Sequence, residues 1–216
     1  MESPDTVLFD LDGTLVDSRD AYARSMNHAL AAVGLPERPA AELHLQLGPP
    51  IHETLERMRV PAALVEPVIA GYRRRYAAVG LEETRVYDGI AALLAHLRGR
   101  ARLAVATSKP VTAAVGLLAG LGLAELFETI CGPDPETANE PKAVTVGRAL
   151  ATLAQNAPVS RAVMVGDRCY DALGAHAHGL PMIGVLWGVG SSDELREAGA
   201  DALVATPAEI PPLLGL

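Results

Sequence analysis

Thr6-Val7-Leu8-Phe9-Asp10-Leu11-Asp12-Gly13-Thr14 is the stretch on which the fold turns. The apolar run Val7-Leu8-Phe9 is too short for a helix, and polar residues and Gly13 bound it, so it reads as a strand buried on both faces. In parallel α/β sheets, ligands bind beyond the carboxyl ends of such strands, where Asp10 and Asp12 fall. Side chains two apart in extended backbone share a side, so both carboxylates address one small volume. Held that close they repel, and the arrangement calls for a cation or a shared proton. Taken alone, a DxDG also fits a turn or a helix cap. The rest of the chain separates these readings.

Downstream, Asp17 or Ser18 can cap a helix with Tyr22, Met26, Ala29, Leu30 and Val33 at helical spacing, ended by Gly34 and Pro36. A short helix follows over 40–46, Gly48-Pro49-Pro50 breaks the chain, and Ile51, Leu55 and Met58 mark another. Pro67 is read as opening a further helix, with Ile69, Tyr72, Tyr76 and Val79 on its stripe and Gly80 at its end. Residues 18–80 thus contain helices and no strand.

From Val86 the pattern alternates helix and strand, the sign of a parallel α/β sheet. Ile90, Leu93, Leu94 and Leu97 form a helix stripe, and Leu103-Ala104-Val105-Ala106 a strand ending at Thr107-Ser108. Pro110 starts a helix through Leu121 with Val111, Val115 and Leu118 expected inward. A strand within 127–131, a helix over 142–153 and strands at 162–165, 182–185 and 202–204 complete the series. Ser191-Ser192-Asp193-Glu194 and Thr206-Pro207-Ala208-Glu209 read as capping boxes. The helical block therefore interrupts a sheet between its first strand and the others, placed as a lid over the carboxylates.

Composition narrows the function classes. The 216 residues are 50% hydrophobic and 20% charged, an ordinary globule of one domain or of one domain carrying an insert. A net charge of -8 gives no general attraction for nucleic acid or an anionic membrane, so neither partner is expected. Cys131 and Cys169, far apart and outside any CxxC or Cys/His spacing, argue against a zinc site or a disulfide framework and suit a reducing cytoplasm. The stretch 1–5 lacks a basic start, so no signal peptide is expected. The longest apolar stretches contain glycines and fall short of a bilayer span.

Polar residues now stand at four strand ends or helix starts: Asp10 with Asp12, Thr107 with Ser108, Lys142, and Asp167 with Asp171. In this order they resemble the four motifs of the haloacid dehalogenase superfamily of phosphotransferases. The resemblance spans essentially the whole chain. It points to the phosphoglycolate phosphatase-like branch through Asp10-Leu11-Asp12-Gly13-Thr14-Leu15-Val16-Asp17-Ser18, Ala106-Thr107-Ser108-Lys109-Pro110 and Val165-Gly166-Asp167-Arg168-Cys169-Tyr170-Asp171. A DxDGT joined to a later GDxxxD is a strong signal, whereas either half alone is weak.

What the resemblance implies is a Rossmann-like parallel α/β core, residues 1–16 and 85–216, with an all-helical cap domain inserted over 17–84. It implies a phosphatase acting on a small phosphorylated metabolite, phosphoglycolate-like, through an aspartyl-phosphate on Asp10. Asp12 would act as acid and then base, and Lys142 would offset the phosphate charge. Gly13, Thr107, Ser108 and Lys142 would surround the substrate phosphate. Asp10, Asp12 through its main-chain carbonyl, and Asp167 would hold Mg²⁺, a hard cation suited to oxygen ligands. Asp171 would bind through water or hold the other ligands. Lys109 competes with Lys142 as the third-motif lysine and is expected to be solvated. A 5′-nucleotidase, a sugar-phosphate phosphatase, a phosphomutase, a hydrolytic dehalogenase and a non-enzymatic regulator are the alternatives. Asp12 argues against a dehalogenase, which needs no such acid.

Overall fold

The computed structural model describes residues 3–135, 137 and 139–216; Met1 and Glu2, part of the stretch read for a signal peptide, lie outside them. In chain order the elements are β1 Thr6–Phe9, β2 Val16–Asp17, α1 Arg19–Ala32, α2 Ala40–His44, α3 Ile51–Arg57, α4 Ala62–Val79 and β3 Arg85–Val86. They continue with α5 Ile90–Leu97, β4 Arg102–Ala106, α6 Val111–Gly120, β5 Thr129–Cys131, α7 Lys142–Asn156 and β6 Ala162–Gly166. Then come α8 Cys169–His176, β7 Met182–Val185, α9 Ser192–Glu197, β8 Ala202–Val204 and α10 Ile210–Leu214.

Six strands form one parallel sheet in the order β5-β4-β1-β6-β7-β8. The first strand is thus central. Phe9 stands level with Val105 of β4 on one side and Val165 of β6 on the other, so all three strands deliver their next residues to one edge. Strand alternation divides the core in two. Val7 and Phe9 pack with Leu94, Leu97, Leu118 and Leu214 on one face, and Leu8 packs with Val146, Met164 and Ala172 on the other. Both faces are covered by helices, as a run of unbroken apolar strand residues requires.

Between β2 and β3, α1 to α4 build a separate apolar cluster from Tyr22, Met26, Leu30, Leu43, Leu55 and Ile69. The antiparallel pair of Val16 with Val86 and Asp17 with Arg85 joins this block to the sheet at both of its ends. Two residues per strand are too few for a periodic signal, which is why this ribbon was not legible in the sequence.

Two expectations need correction. Pro67 lies inside α4, and Pro61 marks its start. The interior proline lacks an N–H to donate to the preceding turn, a loss that α4 carries while Val68 and Ile69 stay buried. In α6, Val115 is 43% exposed, and the buried residues are Ala114, Leu117 and Leu118. A helix made almost wholly of apolar residues offers no contrast by which its inner face can be read.

Candidate active site

Strand β1 ends at Asp10, whose N–H donates to the Val165 carbonyl at 2.9 Å and so holds it on the sheet edge. Asp167 follows the end of β6, and Asp171 lies in the first turn of α8, one turn further on. All three carboxylates are buried, and they offer oxygens within 4.8 Å of one another. Burial, reinforced by Asp171 and Asp10, pushes Asp167 up to about 8. Burial likewise raises Asp10 to about 6, against the lowering effect of Lys142. Three buried carboxyl groups gathered this closely form a donor set that a divalent cation fits, because its charge relieves their mutual repulsion and oxygen suits it.

Lys142 opens α7 and is itself buried, with Nζ 2.6 Å from Asp10 Oδ1 and 2.7 Å from Asp171 Oδ1. Burial works against the ammonium, yet the two carboxylates hold it above its ordinary range. Close packing fixes its place: a Cβ on Gly174 of α8 would lie 2.8 Å from Lys142 Cγ. Asp171 Oδ2 also accepts the Arg168 N–H at 3.0 Å, so Asp171 caps its own helix and faces Lys142 at once.

At the Gly13 turn the chain passes close against Asp167. Gly13 has φ +92°, and a Cβ there would lie 2.3 Å from Asp167 Oδ2. Only glycine meets both demands. Thr14 Oγ1 donates to Asp167 Oδ1 at 3.3 Å, and the Val189 N–H donates to Oδ2 at 2.7 Å. Trp187 Nε1 donates to the Thr14 carbonyl at 3.0 Å, so the loop after β7 is tied to the turn after β1.

Asp12 sits across the cleft mouth. It accepts from Ser18 Oγ at 2.5 Å and from Lys109 Nζ at 2.7 Å, so its carboxylate is held away from the three-carboxylate cluster. Lys109 is not the solvated residue that the sequence suggested. Its side chain is 7% exposed, and its ammonium lies 4.4 Å from the centre of the Tyr76 ring. Burial opposes its charge, but Asp12, Tyr76 and Tyr72 together keep its pKa well above normal. Thr107 is buried, and its Oγ1 accepts the Lys109 N–H at 3.1 Å.

Asp10, Asp12, Thr107, Ser108 and Lys109 all line a cavity of about 530 Å³ roofed by the helical block. Gly48, Pro49 and Pro50 line it too, and of the three consecutive arginines Arg73 does so. Arg75 is turned to Glu83 and Ser25, and Arg74 is exposed. Arg168 reaches from the sheet side to the carbonyls of Leu45 and Leu47, while its Nε donates to Glu194 Oε1 at 2.8 Å. Glu194 therefore does not close a capping box, although Ser191 Oγ does accept its N–H. His176 faces Asp201, and His178 Nε2 is 2.7 Å from the Ala143 carbonyl, both away from the cavity.

The haloacid dehalogenase-like hydrolase family model matches residues 7–185, which span Asp10, Asp12, Lys109, Lys142, Asp167 and Asp171. The chain belongs to this family. Family relatives bear different names. Tyrosine-protein kinase PtkA of Mycobacterium tuberculosis is 40% identical over all of this chain and 74% of its own length. Its solved structure superposes with a TM-score of 0.87 at 39% identity, covering all of both chains. A 5′-nucleotidase of Pseudomonas aeruginosa is 37% identical over 88% of this chain and 86% of its own. A phosphoglycolate phosphatase of Caulobacter vibrioides is 35% identical over 95% and 89%. No helix among the described residues is long and apolar enough to cross a membrane.

Site groups whose partners the sequence did not show are Thr14, Ser18, Arg168 and the Val189 N–H, while Lys109 was weighed but expected in solvent. Thr14 and Ser18 lay inside the motif that was read, but nothing in their spacing says which carboxylate each meets. Arg168 lay inside the motif at 165–171, and Trp187-Gly188-Val189-Gly190 resembles the loop after the fifth core strand in these phosphatases, but nothing local says that Arg168 reaches Leu45 and Leu47 or that the Val189 N–H meets Asp167.

Proposed function

We propose that this protein is a Mg²⁺-dependent phosphatase that hydrolyses small phosphate monoesters through an aspartyl-phosphate on Asp10. The observation that carries the proposal is Lys142 placed against Asp10 and Asp171, with Asp167 completing a cluster of three buried carboxylates. Residues 17–84 act as the cap, and residues 1–16 and 85–216 as the catalytic core. The free thiols of Cys131 and Cys169 suit a cytoplasmic setting.

Asp10, Asp167 and the main-chain carbonyl of Asp12 would hold Mg²⁺, with Asp171 supporting them. Bound there, the ion supplies charge neutralisation for the carboxylates and for the phosphate oxygens. Asp10 attacks phosphorus, the bond to the ester oxygen breaks, and Asp12 gives that oxygen a proton. Asp12 then takes a proton from the water that attacks the aspartyl-phosphate, returning Asp10 and releasing inorganic phosphate. Lys142 counters the negative charge that a phosphate brings toward Asp10. At about 4 Å and an effective dielectric near 20, each like-charge contact would otherwise cost about 4 kcal/mol. Thr107, Ser108 and Gly13 bound the space for the phosphate oxygens.

A second reading rests on the 40% identity to a protein named as a tyrosine kinase, and has Asp10 pass its phosphoryl group to a hydroxyl acceptor in place of water. Phosphate release from a panel of monoesters, with and without Mg²⁺, tests the first reading. Asp10→Asn is expected to lose at least a thousandfold while its melting curve stays cooperative. Full turnover by that variant sinks the mechanism, and label appearing on protein tyrosine ahead of free phosphate favours the second reading.

A further inference from the structure

Beside the carboxylates, the cavity is lined chiefly by apolar surface, and one wall of it is tyrosine. Tyr22 of α1 and Tyr72 of α4 meet edge to face with ring centres 5.7 Å apart, and Tyr72 lies 5.7 Å from Tyr76. The Tyr76 hydroxyl is buried and has no hydrogen-bond partner among the described residues. A buried hydroxyl left unpaired costs free energy, which a polar ligand group reaching it would recover. The volume, about 530 Å³, lies in the range of cavities that enclose ring-containing ligands, and a two-carbon alcohol would fill little of it.

Charge is compatible with the same ligand. A short carboxylated alcohol would need a cation at its far end. Lys109 is committed to Asp12 and to the Tyr76 ring, and His52 Nε2 is 3.0 Å from Glu66 Oε1. Arg73 remains on the lining, and a planar guanidinium stacks on a ring as readily as it pairs with an anion. We infer that the alcohol of the substrate carries a planar aromatic ring, seated in this cavity against Tyr22, Tyr72 and Tyr76 while its phosphate meets Asp10. The inference rests on the phosphatase reading above and names the substrate class for that site. The tyrosines supply faces and edges that stack on a ring at low cost in side-chain freedom, and their polar tips supply hydrogen bonds.

The test measures kcat/KM for phosphate release with Mg²⁺ on phenyl phosphate, adenosine 5′-monophosphate, phosphoglycolate and ribose 5-phosphate. At least one ring-bearing ester is expected to exceed both ring-free esters by tenfold or more. Which of the two leads tells whether the ring joins the phosphate oxygen directly or through a sugar. Tyr72→Leu should lower the ratio of ring-bearing to ring-free kcat/KM about tenfold. A second variant guards against misfolding by the first. Gly116 of α6 lines the cavity and a Cβ there meets nothing within 4 Å, so Gly116→Phe adds a ring at the cavity wall without a clash at its Cβ. It too should lower the ratio. Equal or better turnover of a ring-free ester, or a ratio unmoved in both variants, overturns the inference and leaves the phosphatase reading standing. Phosphate release from none of the four esters overturns both.

Discussion

Lys109 Nζ stands 2.7 Å from Asp12 Oδ2 and 4.4 Å from the centre of the Tyr76 ring, so one ammonium links the turn after β1, the start of α6 and the cap helix α4. Removing either charge leaves the other buried without its partner, whereas removing both does not. Lys109→Met and Asp12→Asn should each destabilise the protein, and the double variant should lose less than the sum. Urea unfolding is expected to give a coupling energy of about 1–3 kcal/mol. Strict additivity would show that the pair contributes nothing.

Asp167 has the opposite balance in the absence of a cation, since burial and two neighbouring carboxylates resist its ionisation. Asp167→Asn keeps an oxygen for the Val189 N–H and turns its amide NH2 to Thr14 Oγ1, which can accept, while deleting the repulsion. The metal-free variant should therefore unfold at higher urea than the metal-free wild type. Mg²⁺ at a hundred times its Kd should stabilise the wild type by about 2.7 kcal/mol and the variant hardly at all. An equal gain in both proteins would place the cation elsewhere.

Two glycines with similar backbone angles separate strain from crowding. Gly34 has φ +79° with nothing within 4 Å of a Cβ, while Gly13 has φ +92° and would bring a Cβ to 2.3 Å from Asp167 Oδ2. Gly34→Ala should cost about 1 kcal/mol in thermal unfolding and leave phosphate release close to normal. Gly13→Ala should cost more and lower phosphate release at least a hundredfold by displacing Asp167. Comparable activity in the two variants would sever Gly13 from the site.

Arg168, next to Asp167, grips the cap through the carbonyls of Leu45 and Leu47. Arg168→Ala leaves those carbonyls to water and leaves Glu194 Oε1 to the Cys169 N–H. Faster hydrogen exchange across residues 45–51 and a KM raised about tenfold are expected, with a smaller change in kcat. Unchanged exchange there would mean that the cap is held by other contacts.

Much of the fold was legible in the sequence because its signals are local. Val7-Leu8-Phe9 is long enough to declare a strand, and the positions of Asp10 and Asp167 follow from strand ends that apolar runs mark plainly. The helical block was legible for the same reason, as a change of period over some sixty residues. Where the period was absent, reading failed: the two-residue strands β2 and β3 gave no signal, and α6 gave apolar residues on every face.

The chemistry divides along the same line. By itself the sequence determined which carboxylates end the strands, because a side chain at a strand terminus needs only its own short segment to be placed. Only the tertiary structure decided how they are neutralised. Lys142 is 132 residues from Asp10 and Lys109 is 97 residues from Asp12, and helix packing against the sheet chooses which carboxylate each ammonium meets. A buried charge takes the opposite charge that the fold brings within reach, and that distance is a property of the whole chain.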